Sequence, residues 1–266
     1  MIINGNNIEE LKKFDDNYFD SIVTDPPYEI GFMGKSWDAS GIANNPEMWS
    51  ECLRVLKPGG YLLSFSATRT YHRMAVAIED SGFEIRDMIE WVYGSGFPKS
   101  LNIGKAVDKL QGNEREDLGI EDPNTKGRYK GIGGFDGVEK NNANEKRDRN
   151  LTKGTSEFEG KGTALKPAHE PICMARKPLA EKTVAENVLK YGTGGINIDE
   201  SRVGTNEKLS VKAHDIPNGQ FHYSFGATDW EVNKLGRFPA NLIHDNSEEV
   251  RECFPETTER FFKSII

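Results

Sequence analysis

Phe19-Asp20-Ser21-Ile22-Val23-Thr24-Asp25-Pro26-Pro27-Tyr28 is the stretch on which the reading of this chain turns. The apolar and β-branched residues up to Thr24 predict a strand. Two consecutive prolines end it, because each fixes φ and lacks a backbone N–H, so neither a ladder nor a helix can continue at Pro27. The product is a rigid loop at a strand's carboxyl end. It offers the Asp25 carboxylate, the Pro26 carbonyl and the Tyr28 ring. Two acceptors and an aromatic face suit a planar ring that bears an amino group: the acceptors take its two hydrogens while the rings stack.

Working outward, Ile2 and Ile3 predict a short strand, Gly5-Asn6 a turn, and Ile8 to Phe14 a helix. Downstream, Asn45-Pro46-Glu47 reads as an N-cap, a first-position proline and a first-turn acid. Met48, Trp49, Cys52, Leu53, Val55 and Leu56 follow at helical spacing, and Pro58-Gly59-Gly60 stops the helix. Tyr61 to Ser66 then predicts a buried strand, Tyr71, Met74, Ala75 and Ile78 a helix closed by Gly82, and Phe83 to Tyr93 another strand. Alternation of this kind predicts an α/β chain with a mainly parallel sheet and helices on its faces. Ligands in such sheets sit at the carboxyl ends of strands, where Asp25 falls.

Asp25-Pro26-Pro27-Tyr28 after an apolar strand resembles the catalytic loop of DNA methyltransferases that modify exocyclic amino nitrogens. The order of elements is similar to that of permuted, phage-type members, whose catalytic half comes first. Gly94-Ser95-Gly96-Phe97-Pro98-Lys99-Ser100 resembles a loop of those members, and His169 to Pro178 their next strand. Tyr191 to Asp199, as a turn and strand, and Gly236 to Asp245, as a strand, resemble later segments. The resemblance implies a partial Rossmann-like methyltransferase fold with a loop-rich recognition insert. It divides the chain into a catalytic part at 1–103, a flexible polar insert at 104–166 and a continuation of the sheet with recognition-type loops at 167–266.

By the same resemblance Asp25, Pro26, Pro27 and Tyr28 are the catalytic residues, and Asp25 with Asn6 lies against S-adenosylmethionine. One departure is plain: where the family has an acid after the early glycine, this chain has Asn6. The favoured acceptor is N6 of adenine, since Asp at the head of this tetrapeptide is more usual there and Ser more usual for N4 of cytosine. Glu29, Trp37 and Asp38 are candidates to shape the pocket. RNA and protein-glutamine methyltransferases share the fold but carry Asn-Pro-Pro-Tyr behind their cofactor loop, which sets them lower.

Family members also hold the cofactor's methionine on an Asp-Pro-Phe-x-Gly-x-Gly loop, which this sequence lacks. Gly131 to Gly137 and Gly192-Thr193-Gly194-Gly195 have no apolar strand ahead of them and predict ordinary turns. The expectation is a truncated enzyme that binds S-adenosylmethionine weakly alone and depends on a separately encoded or missing C-terminal segment. A catalytically inactive DNA-binding remnant is the alternative.

The net charge of −8 runs against a nucleic-acid partner, because a DNA-facing surface must attract phosphates. The charge is uneven, however. Residues 1–97 carry 8 basic and 15 acidic side chains, whereas residues 98–176 carry 15 and 13. Within that second region, Lys126, Arg128, Lys130, Arg147 and Arg149 are the candidate phosphate contacts, with Tyr129 and Lys146 among them. From about Gly112 to Lys166 few large apolar residues occur, which predicts a loop with little core. Cys52, Cys173 and Cys253 are too far apart for a metal site, and buried free thiols are expected. Five histidines show no ligand spacing, so no metal is expected. With no long apolar span and no basic-then-apolar leader, a cytoplasmic protein with no membrane partner is the expectation.

Overall fold

The apolar run ahead of Asp25 forms β1 (Phe19–Thr24). In the computed structural model, which describes residues 2–31, 36–96, 98, 100–121, 150–204, 236–254 and 263–264, β1 pairs in parallel with β2 (Leu56–Phe65). Before it, α1 (Asn7–Leu11) starts where the Asn6 side chain accepts the Ile8 N–H. Between the two strands, Asn45 caps α2 (Pro46–Val55) by accepting from Glu47 N, with proline in the first turn. Met48, Trp49, Cys52 and Val55 recur three or four residues apart and are all buried, so this one face carries the helix into the core. Full burial of each such large side chain contributes about 1.5–3 kcal/mol.

The helix α3 (Tyr71–Asp80) adds Met74, Ala77 and Ile78 to the same core and leads to β3 (Glu84–Val92). After the insert come β6 (His169–Arg176), α5 (Val184–Tyr191), α6 (Ile198–Ser201), β7 (Leu242–His244), α7 (Glu248–Arg251) and β8 (Lys263–Ser264). The six-stranded sheet has the order β1-β2-β6-β3-β7-β8. Only β6 runs against its neighbours; the β1–β2, β3–β7 and β7–β8 pairs are parallel. The sheet is therefore mainly parallel, as the alternation predicts. Leu62, Cys173 and Ala175 face Trp49, Met74 and Ile78, which places the core between β2, β6, α2 and α3. Cys52 and Cys173 are buried free thiols within it, whereas Cys253 is exposed.

Three local expectations are corrected. Residues 2 and 3 are not a strand: Ile2 is 99% exposed, and among the described residues nothing pairs with it. The strand expected at Ile196 to Asp199 is instead a turn into α6, because the Asn197 side chain accepts from Glu200 N and starts a helix. Pro58-Gly59-Gly60 does follow a helix end, yet it belongs to β2. The register runs Phe19↔Leu56 and then Ser21↔Tyr61, so the extra residues of β2 bulge out, with Gly59 at φ +81°.

Residues 97–167 form a second compact unit. Asn102 caps α4 (Ile103–Gln111), and β4 (Glu116–Glu121) pairs antiparallel with β5 (Asn150–Lys153). The described ends of the insert are thus folded, against the expectation of a coreless loop. Arg115 supplies what apolar side chains do not: it donates to Asp108, which is 1% exposed, and through both Nη1 (2.9 Å) and Nη2 (2.8 Å) to Glu159. Its Nη2 also donates to the Thr152 carbonyl at 2.9 Å. A guanidinium bonded to two carboxylates satisfies each of the charges it buries. The centre of the insert, residues 122–149, lies outside the described residues, and with it Lys126, Arg128, Lys130, Arg147, Arg149 and the glycine run 131–137. Among the described residues no helix is long and apolar enough to cross a membrane.

Candidate active site

The β1 strand delivers Asp25-Pro26-Pro27-Tyr28 to the carboxyl end of the sheet, beside the end of β2, where Thr24 pairs with Ser64. Asp25 is exposed, Pro26 is buried, and Pro27 and Tyr28 are half-buried. The prolines therefore seat the loop, and the exposed carboxylate lies beside the Tyr28 hydroxyl. Tyr28 is held at both ends. Its carbonyl accepts from Thr70 Oγ1 at 2.6 Å, and its hydroxyl donates to Glu170 Oε2 at 3.1 Å.

Burial is the first cause that drives the Tyr28 phenol far above its ordinary range, and the Asp25 and Glu170 carboxylates facing the hydroxyl add to it. The phenol consequently stays protonated, a neutral donor between two acids. Tyr93, following β3, lies on the same Glu170; burial and then that carboxylate raise its phenol too. Glu170 reaches this place through β6, which pairs Glu170 with Trp91 and Ile172 with Phe65.

The next residue turns the chain. Glu29 adopts φ +56°, a left-handed conformation costing a side-chain-bearing residue roughly 1–2 kcal/mol. Hydrogen bonds offset it: Glu29 N donates to buried Asp38 Oδ1 at 3.1 Å, while the Glu29 carboxylate accepts from Gly41 N at 2.8 Å and Ser40 Oγ at 3.2 Å. Asp38 thus fixes the loop from within, and Trp37, 56% exposed, sits outside the core.

The other candidates fall elsewhere. The Asn6 oxygen is committed to the Ile8 N–H at 3.0 Å as the cap of α1. Gly192-Thr193-Gly194-Gly195 lies against Pro58 and Gly59, at the amino end of β2, opposite the Asp25 end. Thr193 Oγ1 donates to the Pro58 carbonyl at 2.6 Å, and Asn187 Nδ2 donates to the Pro58 and Thr193 carbonyls at 2.8 Å each. A Cβ on Gly59 would stand 2.6 Å from Asn187 Nδ2 and 3.0 Å from Gly194 Cα, so these glycines permit close packing. The ordinary-turn reading of this run fits that role. Among the described residues, then, the Asn6 oxygen is bonded within its own helix cap, and Gly192–Gly195 packs at the end of β2 away from Asp25.

Glu170, Thr70 and Tyr93 were not singled out from the sequence. Each lies 42 or more residues from Tyr28, and only the tertiary fold brings them to it.

A sequence model of the family N6_N4_Mtase, described as DNA methylase, matches residues 19–224, starting at the first residue of β1. The chain belongs to this DNA methylase family. Among curated relatives, the type II methyltransferase M.HpaI of Haemophilus parainfluenzae is 32% identical over 115 residues, covering 41% of this chain and 37% of its own length. M.HindIII of Haemophilus influenzae, also a type II methyltransferase, is 28% identical over 131 residues, covering 34% and 42%. This methylase chain thus spans about two fifths of the length of these curated relatives. Among solved structures, M1.HpyAVI in complex with SAM aligns with a TM-score of 0.32 at 16% identity, over 66% of this chain and 55% of that one.

Proposed function

We propose that the chain carries the amine-accepting part of an S-adenosylmethionine-dependent DNA methyltransferase, acting on an exocyclic amino nitrogen, most simply N6 of adenine. The observation that carries this reading is the exposed Asp25 carboxylate beside a Tyr28 ring anchored at both ends. S-adenosylmethionine supplies an electrophilic methyl group when bound. The amino nitrogen of a base is a poor nucleophile because its lone pair is conjugated into the ring. When Asp25 and the Pro26 carbonyl accept its two hydrogens, the nitrogen moves toward tetrahedral geometry and the lone pair becomes available, so positioning and electrostatics do the catalysis. Asp25 need not remove a proton before attack, because the nitrogen becomes acidic once methylated. The Tyr28 ring stacks on a base turned out of the duplex, whose unstacking costs a few kcal/mol. Within the insert, Lys126, Arg128, Lys130, Arg147 and Arg149 serve as phosphate contacts under this reading.

Methyl transfer from tritiated S-adenosylmethionine into sheared, unmethylated duplex DNA tests the reading, with Asp25→Ala as the control. Loss of transfer in that variant, with its fold intact, is the expected outcome; equal transfer would remove Asp25 from the chemistry. The commitment of Asn6 to a helix cap and of Gly192–Gly195 to packing favours one alternative, an inactive DNA-binding remnant. Calorimetric titration with S-adenosylmethionine separates the two. Micromolar binding supports the enzyme, and DNA binding without cofactor binding supports the remnant.

A further inference from the structure

A base turned onto Tyr28 brings its phosphates with it, toward an end of the sheet that already carries Asp25, Glu29 and Glu170. In a chain of net charge −8, those phosphates need cations close to the loop. The head of α3 supplies them. Thr70 Oγ1 donates to the Tyr28 carbonyl at 2.6 Å and gives α3 no side-chain cap, so the loop and the start of this helix form one joint. Arg69 precedes Thr70, and His72 and Arg73 lie in the first turn of α3; all three are exposed. Thr70 N and Tyr71 N both donate to the Ala67 carbonyl, at 3.0 and 2.9 Å, and Arg73 N donates to the Thr70 carbonyl at 3.0 Å. The chain is therefore already wound at Arg69, and the two arginines, four residues apart, stand on one side of it.

Nothing neutralises this pair. Arg54, Arg86, Arg115, Arg176 and Arg202 each lie against a carboxylate. Among the described residues, Arg69 and Arg73 make no ion pair and no side-chain hydrogen bond. The local sequence offers no partner either, since residues 52–78 include no acid. His72 and Arg73 line a groove of about 310 Å³ that runs between α3 and Pro46 at the head of α2 and ends at Asp80. Asp80 lies seven residues beyond Arg73, roughly 10 Å along the helix, and does not pair with it. An incoming phosphate thus has no ion pair to break.

We infer that Arg69 and Arg73, with His72 between them, hold the DNA backbone phosphates beside the nucleotide turned onto Tyr28. The inference rests on the reading of Asp25 to Tyr28 as the base-accepting loop. It puts phosphate contacts in the compact unit that holds this loop, residues 1–96 and 168–266, in addition to those proposed for the insert. An arginine fork takes two phosphate oxygens at once and reads no base, so the pair sets where the backbone lies and leaves sequence choice to other groups. Through Thr70, the gripped backbone and the stacking ring are fixed by the same turn of chain.

Anisotropy of a fluorescein-labelled, random-sequence duplex, titrated with the chain at about 50 to 200 mM salt without cofactor, tests this. The variants are Arg69→Ala, Arg73→Ala, the double alanine variant and Arg→Lys at each position. Lys57→Ala is the control, because it removes the same charge at the amino end of β2, where Lys57 pairs with Asp20. An arginine that holds one phosphate contributes about 0.9 to the slope of log affinity against log salt. Each alanine variant is expected to lower that slope by about one and to weaken binding roughly five- to tenfold at about 0.1 M salt, and the double variant lowers the slope by about two. Lysine keeps the slope because the charge remains, and Lys57→Ala leaves it unchanged. Wild-type slopes in both alanine variants, an equal fall in Lys57→Ala, or affinity lost without slope, which would mark a folding effect, overturn the inference. So does a wild-type chain that binds no duplex. Tritium transfer on the same preparations separates this inference from the reading beneath it. Transfer that Asp25→Ala abolishes, with wild-type slopes in the arginine variants, sinks the phosphate site alone. The expected slopes in a chain that transfers no methyl group count against the methyltransferase reading alone and leave the phosphate site standing.

Discussion

The two ends of the β1–β2 pair are built from similar groups and used differently. At the amino end, Asn187 is fully buried and bonded on three sides, to the Pro58 carbonyl, the Thr193 carbonyl and Ala180 N, and Thr193 adds a second bond to Pro58. Lys177 closes the same end on the Leu56 carbonyl at 2.7 Å, and burial pulls its ammonium below the usual lysine range. At the carboxyl end, the tetherings of Tyr28 and Glu29 hold the loop, but the Asp25 carboxylate remains exposed. Polar groups that fill one another's valences are packing devices. A carboxylate held on a rigid loop and left facing solvent is available to a ligand. The contrast is why a glycine run near one end is read as a lock and the aspartate at the other is proposed as the site.

The contrast breaks most sharply at its two central residues. Asp25→Ala is expected to lower methyl transfer by about 10²–10³-fold, the scale seen on removing one preorganised electrostatic group, with unfolding free energy within about 0.5 kcal/mol of wild type. Tritium incorporation and urea unfolding on the same preparation would check both halves. Asn187→Ala should do the reverse. It strands the Thr193 carbonyl in the interior and removes the partner of Ala180 N, although Pro58 keeps its bond from Thr193, destabilising by about 1–3 kcal/mol, while transfer per folded molecule stays near wild type. A drop in specific activity larger than the unfolded fraction would show that the two ends are coupled.

Smaller effects sharpen the same division. Tyr28→Ala removes a stacking face worth about 1–3 kcal/mol by the scale of base–aromatic contacts, or roughly 5- to 150-fold in transfer, read as kcat/KM on duplex DNA. Thr193→Val loses one bond to a Pro58 carbonyl that Asn187 still satisfies, so only about 1 kcal/mol of stability should go, measured as a shift in urea midpoint. Should Thr193→Val cost as much as Asn187→Ala, the hydrogen bonds at this end would not be shared as described.

The parts of this fold that were legible in the sequence are those whose signal is local. Asn45-Pro46-Glu47 with apolar spacing behind it specified α2. Asp25 to Tyr28 was legible because proline geometry is set by the residue itself. Ile2 and Ile3 misled because an apolar pair predicts a strand only if a partner strand takes it. The insert misled for the opposite reason: its composition predicts no core, yet one arginine between Asp108 and Glu159 organises the described ends through charge.

By itself the sequence determined the strand that stops at Asp25, the rigidity of the loop after it, the cap of α2, the apolar faces of α2 and α3, and membership of the DNA methylase family. The tertiary structure alone decided what each loop group faces: that Glu170 and Thr70 hold Tyr28, that Asn187 and Thr193 close Pro58, and that Asn6 is spent on a helix. The physical reason is range. Dihedral limits, capping and periodicity act over a few residues and are written in local sequence, whereas a hydrogen bond between residues 28 and 170 exists only after β6 has inserted antiparallel between β2 and β3.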